Sequence, residues 1–192
     1  MKDKIFNIIK DSINVKSSII AEKESIRILD LISSKLIDIF KNDKKLLLCG
    51  NGGSASDAQH IAAELSGRFY KDRKPLFAEA LHVNTSYVTA VSNDYGYEHV
   101  YSRMVEAMGR DGDALLAIST SGNSQNIVNA VKSANSVGMY TIGFTGESDC
   151  KLDKICNSVI KVPSDDTARI QESHILFGHI LCQILEESLF DD

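Results

Sequence analysis

Only two prolines, Pro75 and Pro163, interrupt the 192 residues, and no low-complexity tract or internal repeat divides them. Nothing therefore marks a linker, and the chain reads as a single domain, long enough to bury a full core. No apolar run approaches the roughly 20 residues that cross a bilayer. Met1-Lys2-Asp3-Lys4 opens an amphipathic pattern without the apolar core or cleavage site of a secretory signal. The four cysteines, Cys49, Cys150, Cys156 and Cys182, show no CxxC spacing. Cys49 and Cys182 sit inside apolar runs, where reduced thiols are commonly buried. These absences together point to the cytoplasm. A concentrated basic face is missing as well: formal net charge is -5, with the basic residues scattered. That argues against a nucleic-acid partner but leaves room for a small anion held at a local site.

What is present is the balance of an ordinary globular protein, 43% hydrophobic and 24% charged. Over residues 6–40 apolar side chains recur every three or four positions, which predicts one long or broken helix. Its apolar face is wide, so residues 1–41 are expected to form a helical extension that packs against another subunit. Then the texture changes. A short continuous apolar run, 45–49, ends in Gly50-Asn51-Gly52-Gly53, the pattern of a buried parallel strand followed by a glycine turn. A helical stretch follows over 56–69. Further strand-like runs at 114–118, 140–144 and 159–162 are each followed by helical patterns, the last over 167–189. Alternating strands and helices predict an α/β fold, a three-layer α/β/α sandwich around a central parallel sheet. Ligands of such sheets bind beyond the carboxyl ends of the strands.

The loops at those ends carry the polar residues. Ser119-Thr120-Ser121-Gly122-Asn123-Ser124 crowds hydroxyls where a helix exposes free N–H groups, a way to hold a phosphate without lysine. A single hydroxyl there would be a plain N-cap; three, with a glycine and Ser124, favour phosphate. Asn51, Gly52 and Gly53 form a polar turn after the first strand that is neither a Walker sequence nor GxGxxG, so nucleotide binding is unsupported. His60 and Glu64 lie four apart on one helix face and can share a metal ion or a proton-transfer task, or form a surface pair. On the last helix, Gln171 and His179 face similar directions about 12 Å apart. That separation suggests that one of them serves a neighbouring subunit's site. His174 is a rival ligand to these, and His82 and His99 have no partner pattern. Asn93 and Asp94 read as a polar turn between two helical patterns. Asp165 and Asp166 read as capping residues before the last helix, and Arg68 as either solvated or facing an anionic substrate.

Taken together, the stretches CGNGGSASDAQHIAAELSGRF, SNDYGYEHVYSR, ISTSGNSQNI and PSDDTARIQESHILFGHILCQ resemble the phosphoheptose isomerase family, within the broader sugar isomerase (SIS) fold. The resemblance runs from residue 49 to residue 183. It implies conversion of D-sedoheptulose 7-phosphate to D-glycero-D-manno-heptose 7-phosphate through an enediol(ate), an early step toward lipopolysaccharide or capsule heptose. It further implies Glu64 as catalytic base and His179 as acid and proton shuttle. Substrate contacts fall to Asn51, Gly52, Gly53, Glu64, Asn93, Asp94, Ser119, Thr120, Ser121, Ser124 and Gln171. A zinc ion, one per subunit, is implied at His60, Glu64, Gln171 and His179, in a homotetramer with sites at subunit interfaces. The alternative is a non-catalytic SIS protein that binds a sugar phosphate and regulates; such relatives keep the serine loop and lose the acid/base pair.

Overall fold

The computed structural model describes residues 1–190. Its apolar runs become a five-stranded sheet of β1 (Leu46–Gly50), β2 (Ala78–Ala80), β3 (Ala114–Ile118), β4 (Tyr140–Thr145) and β5 (Ser158–Lys161). The order is β2-β1-β3-β4-β5, and every neighbouring pair is parallel. Both β1 and β3 are buried along their whole length, which is why they read as unbroken apolar runs. Period-two alternation then divides them between two cores: Leu46 and Leu48 point to one, Leu47 and Cys49 to the other.

The first core is closed by α2 (Glu24–Lys41), α3 (Gly53–Ser66) and α7 (Thr167–Phe190). The second is closed by α4 (Thr85–Tyr95), α5 (Val100–Met108) and α6 (Gln125–Ser136). This is the expected three-layer sandwich. The long N-terminal helix is present but broken: α1 (Lys2–Glu22) and α2 meet at Lys23, which takes a left-handed conformation with φ 59°. The two halves differ in use. Leu29, Ile32, Leu36 and Phe40 of α2 are buried within this subunit, whereas α1 buries only Ile19 and leaves Ile5, Phe6, Ile9 and Ile13 exposed.

Three sequence expectations change. Strand β2 was not anticipated, because three residues carrying a glutamate at a sheet edge give no periodic signal. Helix α3 starts at Gly53, three residues before the expected 56, and ends at Ser66 rather than 69. Asn93 and Asp94 do not form a turn; they lie in the last turn of α4, which runs on until Gly96. Among the described residues no helix is long and apolar enough to cross a membrane.

After β1 the chain moves outward to β2, then returns to place β3 on the other side of β1. The crevice between their carboxyl ends is the switch point where parallel sheets bind ligands. Gly50 pairs with Ile118, so the two loops that follow start level with one another.

Candidate active site

Helix α3 leaves the β1 loop directly, with Gly52 at its N-cap and open space above that glycine. Gly53, Asp57, His60 and Glu64 recur at intervals of four, three and four, one stripe of the helix. Helix α7 lies against this stripe, and two glycines let it come close. A Cβ on Gly53 would stand 2.6 Å from the Gln171 amide, and one on Gly178 would strike Ile61. Contacts pair Gln171 with Gly53 and Asp57, His179 with His60, and Gly178 with Ile61, so the helices run side by side in one direction. Gln171 and His179 thus each meet α3 within one subunit, Gln171 at Gly53 and Asp57 and His179 at His60. Both face α3 of their own chain, because each meets its own level of a helix that is itself more than 10 Å long.

The centre of the site is His60. Its Nε2 lies 3.0 Å from His179 Nε2 and 3.3 Å from Glu64 Oε1. The His60 side chain is 50% exposed and that of Glu64 26%, so water and a small substrate can reach both. The His179 ring rests against Phe69, with centroids 5.9 Å apart. One turn earlier on α3, Asp57 is buried; its Oδ1 accepts from Gln171 Nε2 at 3.4 Å while Oδ2 has no partner. Burial pushes the Asp57 carboxyl above its ordinary range, against the pull of Gln171, His60 and His179. Asp57 was missed in the sequence. Its signal was its place on the His60–Glu64 stripe, three residues before His60.

The β3 loop gathers its hydroxyls at the carboxyl edge of the sheet. Ser119 is buried and donates to Ser124 Oγ at 3.4 Å. Ser124 occupies the N-cap of α6 yet makes no side-chain cap bond to it, so its hydroxyl is not consumed as a plain helix cap. Gly122, at φ 61°, turns the chain, with its N–H on Ser119 carbonyl. Thr120 and Ser121 line a cleft of 260 Å³ closed by Gly146 and Ser164, with exposed Glu147 and Asp165 on its rim. A larger cleft of 610 Å³ lies at the opposite, amino ends of β3 and β4 and contains none of these residues. The two loops are tied together: Asn51 and Asn126 exchange amide hydrogen bonds at 2.9 and 2.8 Å. Tyr97 donates to Asn51 Oδ1 at 3.2 Å, which brings the end of α4 to the β1 loop, with Asn93 and Asp94 exposed a turn before it.

Other sequence candidates fall elsewhere. His174 is wholly buried, bonded through Nε2 to the Thr145 carbonyl at 3.1 Å, and is no rival ligand. Asp166 caps α7 by accepting from Ala168 N at 2.8 Å. Cys49 and Cys182 are buried free thiols, and burial pushes Cys182 up to about 12.

A SIS-domain family model matches residues 10–146. The chain is 49% identical to a phosphoheptose isomerase of Aneurinibacillus thermoaerophilus over 190 residues, 99% of this chain and 96% of that one. The chain belongs to the phosphoheptose isomerase family. Solved phosphoheptose isomerases share the architecture as well. That of Neisseria gonorrhoeae superposes with a TM-score of 0.90 at 41% identity, over 97% of this chain and 98% of that one. That of Francisella tularensis gives 0.91 at 37%, over 96% and 97%.

The donors available to a metal are those of this same cluster. Tetrahedral zinc with bonds of 2.0–2.1 Å sets its ligand atoms roughly 3.3 Å apart. The 3.0 and 3.3 Å separations around His60 Nε2 fit such edges. Two imidazole nitrogens that close can share only one proton, and a cation between them removes the conflict. Among the described residues no three His, Cys, Asp or Glu side chains are grouped so that they could hold a metal ion. The trio is a chain of contacts centred on His60, with the Gln171 amide one turn away.

Proposed function

We propose that the protein is an aldose–ketose isomerase converting D-sedoheptulose 7-phosphate to D-glycero-D-manno-heptose 7-phosphate, at the start of heptose supply for lipopolysaccharide or capsule. The observation that carries the reading is the contact of His60 with both Glu64 and His179, at the sheet edge that also bears the hydroxyl loop. Ser119, Thr120, Ser121 and Ser124 hold the phosphate through hydroxyls and backbone amides. Asn51, Gly52, Gly53, Asn93, Asp94 and Gln171 contact the sugar chain. Glu64 removes the proton from C1 and returns it to C2, while His179 moves a proton between the two oxygens of the cis-enediol(ate). No atom is gained or lost, and the pair is restored after each turnover.

His60, Glu64, Gln171 and His179 hold one zinc ion per subunit in this reading, and bound zinc supplies positive charge beside the developing enediolate. Glu64 cannot be both firmly ligated and a free base, so either its carboxylate shifts or occupancy is partial. The exposed Ile5, Phe6, Ile9 and Ile13 of α1 support burial against further copies in a homotetramer. The four free cysteines accord with the cytoplasm.

The test is isomerisation of sedoheptulose 7-phosphate by purified protein, with and without chelator and added zinc. Turnover abolished by chelator and restored by zinc supports both reaction and metal. Turnover indifferent to chelator leaves acid/base chemistry alone. Absence of turnover in folded protein favours the regulatory sugar-phosphate binder.

A further inference from the structure

Nine residues beyond Glu64 and seven beyond His179, two charged side chains are buried together outside the His60 cluster. Arg73 and Glu186 have side chains 3% and 2% exposed, with Arg73 Nε 3.0 Å from Glu186 Oε2. The Glu186 carboxylate also accepts three successive backbone N–H groups, those of Phe69 at 3.2 Å and of Tyr70 and Lys71 at 2.8 Å. Burial works to raise its pKa, but these amides and Arg73 outweigh it and hold the carboxylate below its ordinary range. Arg73 spends its remaining donors on the end of α3: Nη2 on the Glu64 carbonyl at 3.0 Å and Nη1 on the Leu65 carbonyl at 2.8 Å. Those carbonyls belong to the last turn, where a helix has no partner of its own to offer.

Apart from a bond from Arg73 Nη1 to the neighbouring Lys74 carbonyl at 3.2 Å, the network's backbone bonds end on Glu64, on Leu65, or on the segment that carries Phe69 against the His179 ring. Stability alone does not account for such an arrangement, since a buried ion pair is often matched or exceeded by apolar residues of like volume. What apolar residues cannot do is grip two helix carbonyls and three loop amides at fixed places. We propose that Arg73 and Glu186 are positioning residues, a clamp that fixes the last turn of α3 and the Phe69 wall so that Glu64 and His179 keep their places beside His60. The clamp acts through backbone and a ring, not through substrate. This inference rests on the isomerase reading above.

The test begins with turnover of sedoheptulose 7-phosphate by the unaltered protein, followed by Glu186→Gln. The glutamine keeps the size and loses the charge. We expect kcat per folded molecule to fall about tenfold to a hundredfold, the scale of a small displacement of catalytic groups. KM should stay within about twofold, because the hydroxyl loop is built on β3 and α6, and the pH profile of kcat should move with Glu64 and His179. Arg73→Lys preserves the pair but cannot span both carbonyls, and it should show the same split; it decides the question if Glu186→Gln does not fold. The double variant Arg73→Met/Glu186→Leu takes the side-chain partners from two helix carbonyls and three loop amides, so it should melt earlier than the parent and remain slow. Unaltered protein without turnover overturns the isomerase reading. Normal turnover with variants that melt earlier but keep kcat and pH profile overturns the clamp alone, and so does an apolar double variant with full kcat.

Discussion

Two imidazoles of α7, five residues apart, sit in opposite surroundings. His174 faces the sheet: no part of it meets solvent, its ring lies 5.7 Å from that of Phe144, and its Nε2 bonds the Thr145 carbonyl. A carbonyl only accepts, so Nε2 carries the proton, and burial brings the pKa down to about 4. His179 faces α3, half-buried, with His60 Nε2 at 3.0 Å and a path to solvent. One helix therefore holds one histidine as a fixed neutral donor and another where protons and ligands can come and go. Residue type does not separate them; solvent access and partner do. The same contrast divides the acids. Glu186 is locked by four donors, whereas Glu64 is partly exposed and its carboxylate pairs with His60.

If that division is real, removing a group from the open face should cost chemistry, and removing one from the closed face should cost stability. The largest effect is expected from Glu64→Gln, which keeps shape and removes the base. Turnover should fall by about 10² or more while substrate still binds; near-normal turnover in a steady-state assay would remove Glu64 from the mechanism. His179→Gln should fall by a comparable factor and also weaken zinc uptake, measured by competition with a chromophoric chelator. A variant that loses turnover and keeps zinc affinity would separate the proton shuttle from the ligand.

A smaller effect should come from the phosphate end. Ser121→Ala takes one hydroxyl from the proposed phosphate loop, so KM should rise about tenfold with kcat little changed. An unchanged KM would refute the loop's role. This loop and the β1 turn were legible in the sequence because glycine and crowded hydroxyls at strand ends have few structural reasons to be there. Strands β1 and β3 were legible because burial on both faces leaves no polar break. What local pattern could not show was anything set by the meeting of α3 and α7, more than 100 residues apart. Asp57 looks like any solvated helix carboxylate until Gln171 covers it. Arg73 and Glu186 look like surface charges until they find each other. Gln171 and His179, about 12 Å apart by helix geometry, meet α3 at different levels, Gln171 at Gly53 and Asp57 and His179 at His60.

The smallest effect on turnover, and the sharpest test of the contrast, belongs to His174. Its folded pKa of about 4 lies below the unfolded value of about 6.5. The unfolded chain then binds the proton more readily, so the neutral ring's contribution is complete above pH 6.5 and drains away as pH falls toward 4. At about 1.4 kcal/mol per unit, that is about 3 kcal/mol of stability lost across the window. His174→Leu cannot take up a proton there, so its denaturant midpoint should change less than that of the parent between pH 6.5 and pH 4. It also gives up the bond to Thr145, so it should start from lower stability at pH 7. Turnover at pH 7 should stay within about twofold, because His174 touches neither loop hydroxyl nor His60. Parallel acid profiles for variant and parent would mean that another group drives the acid transition. Lost turnover in a variant that remains folded would mean that the closed face of α7 reaches the chemistry after all.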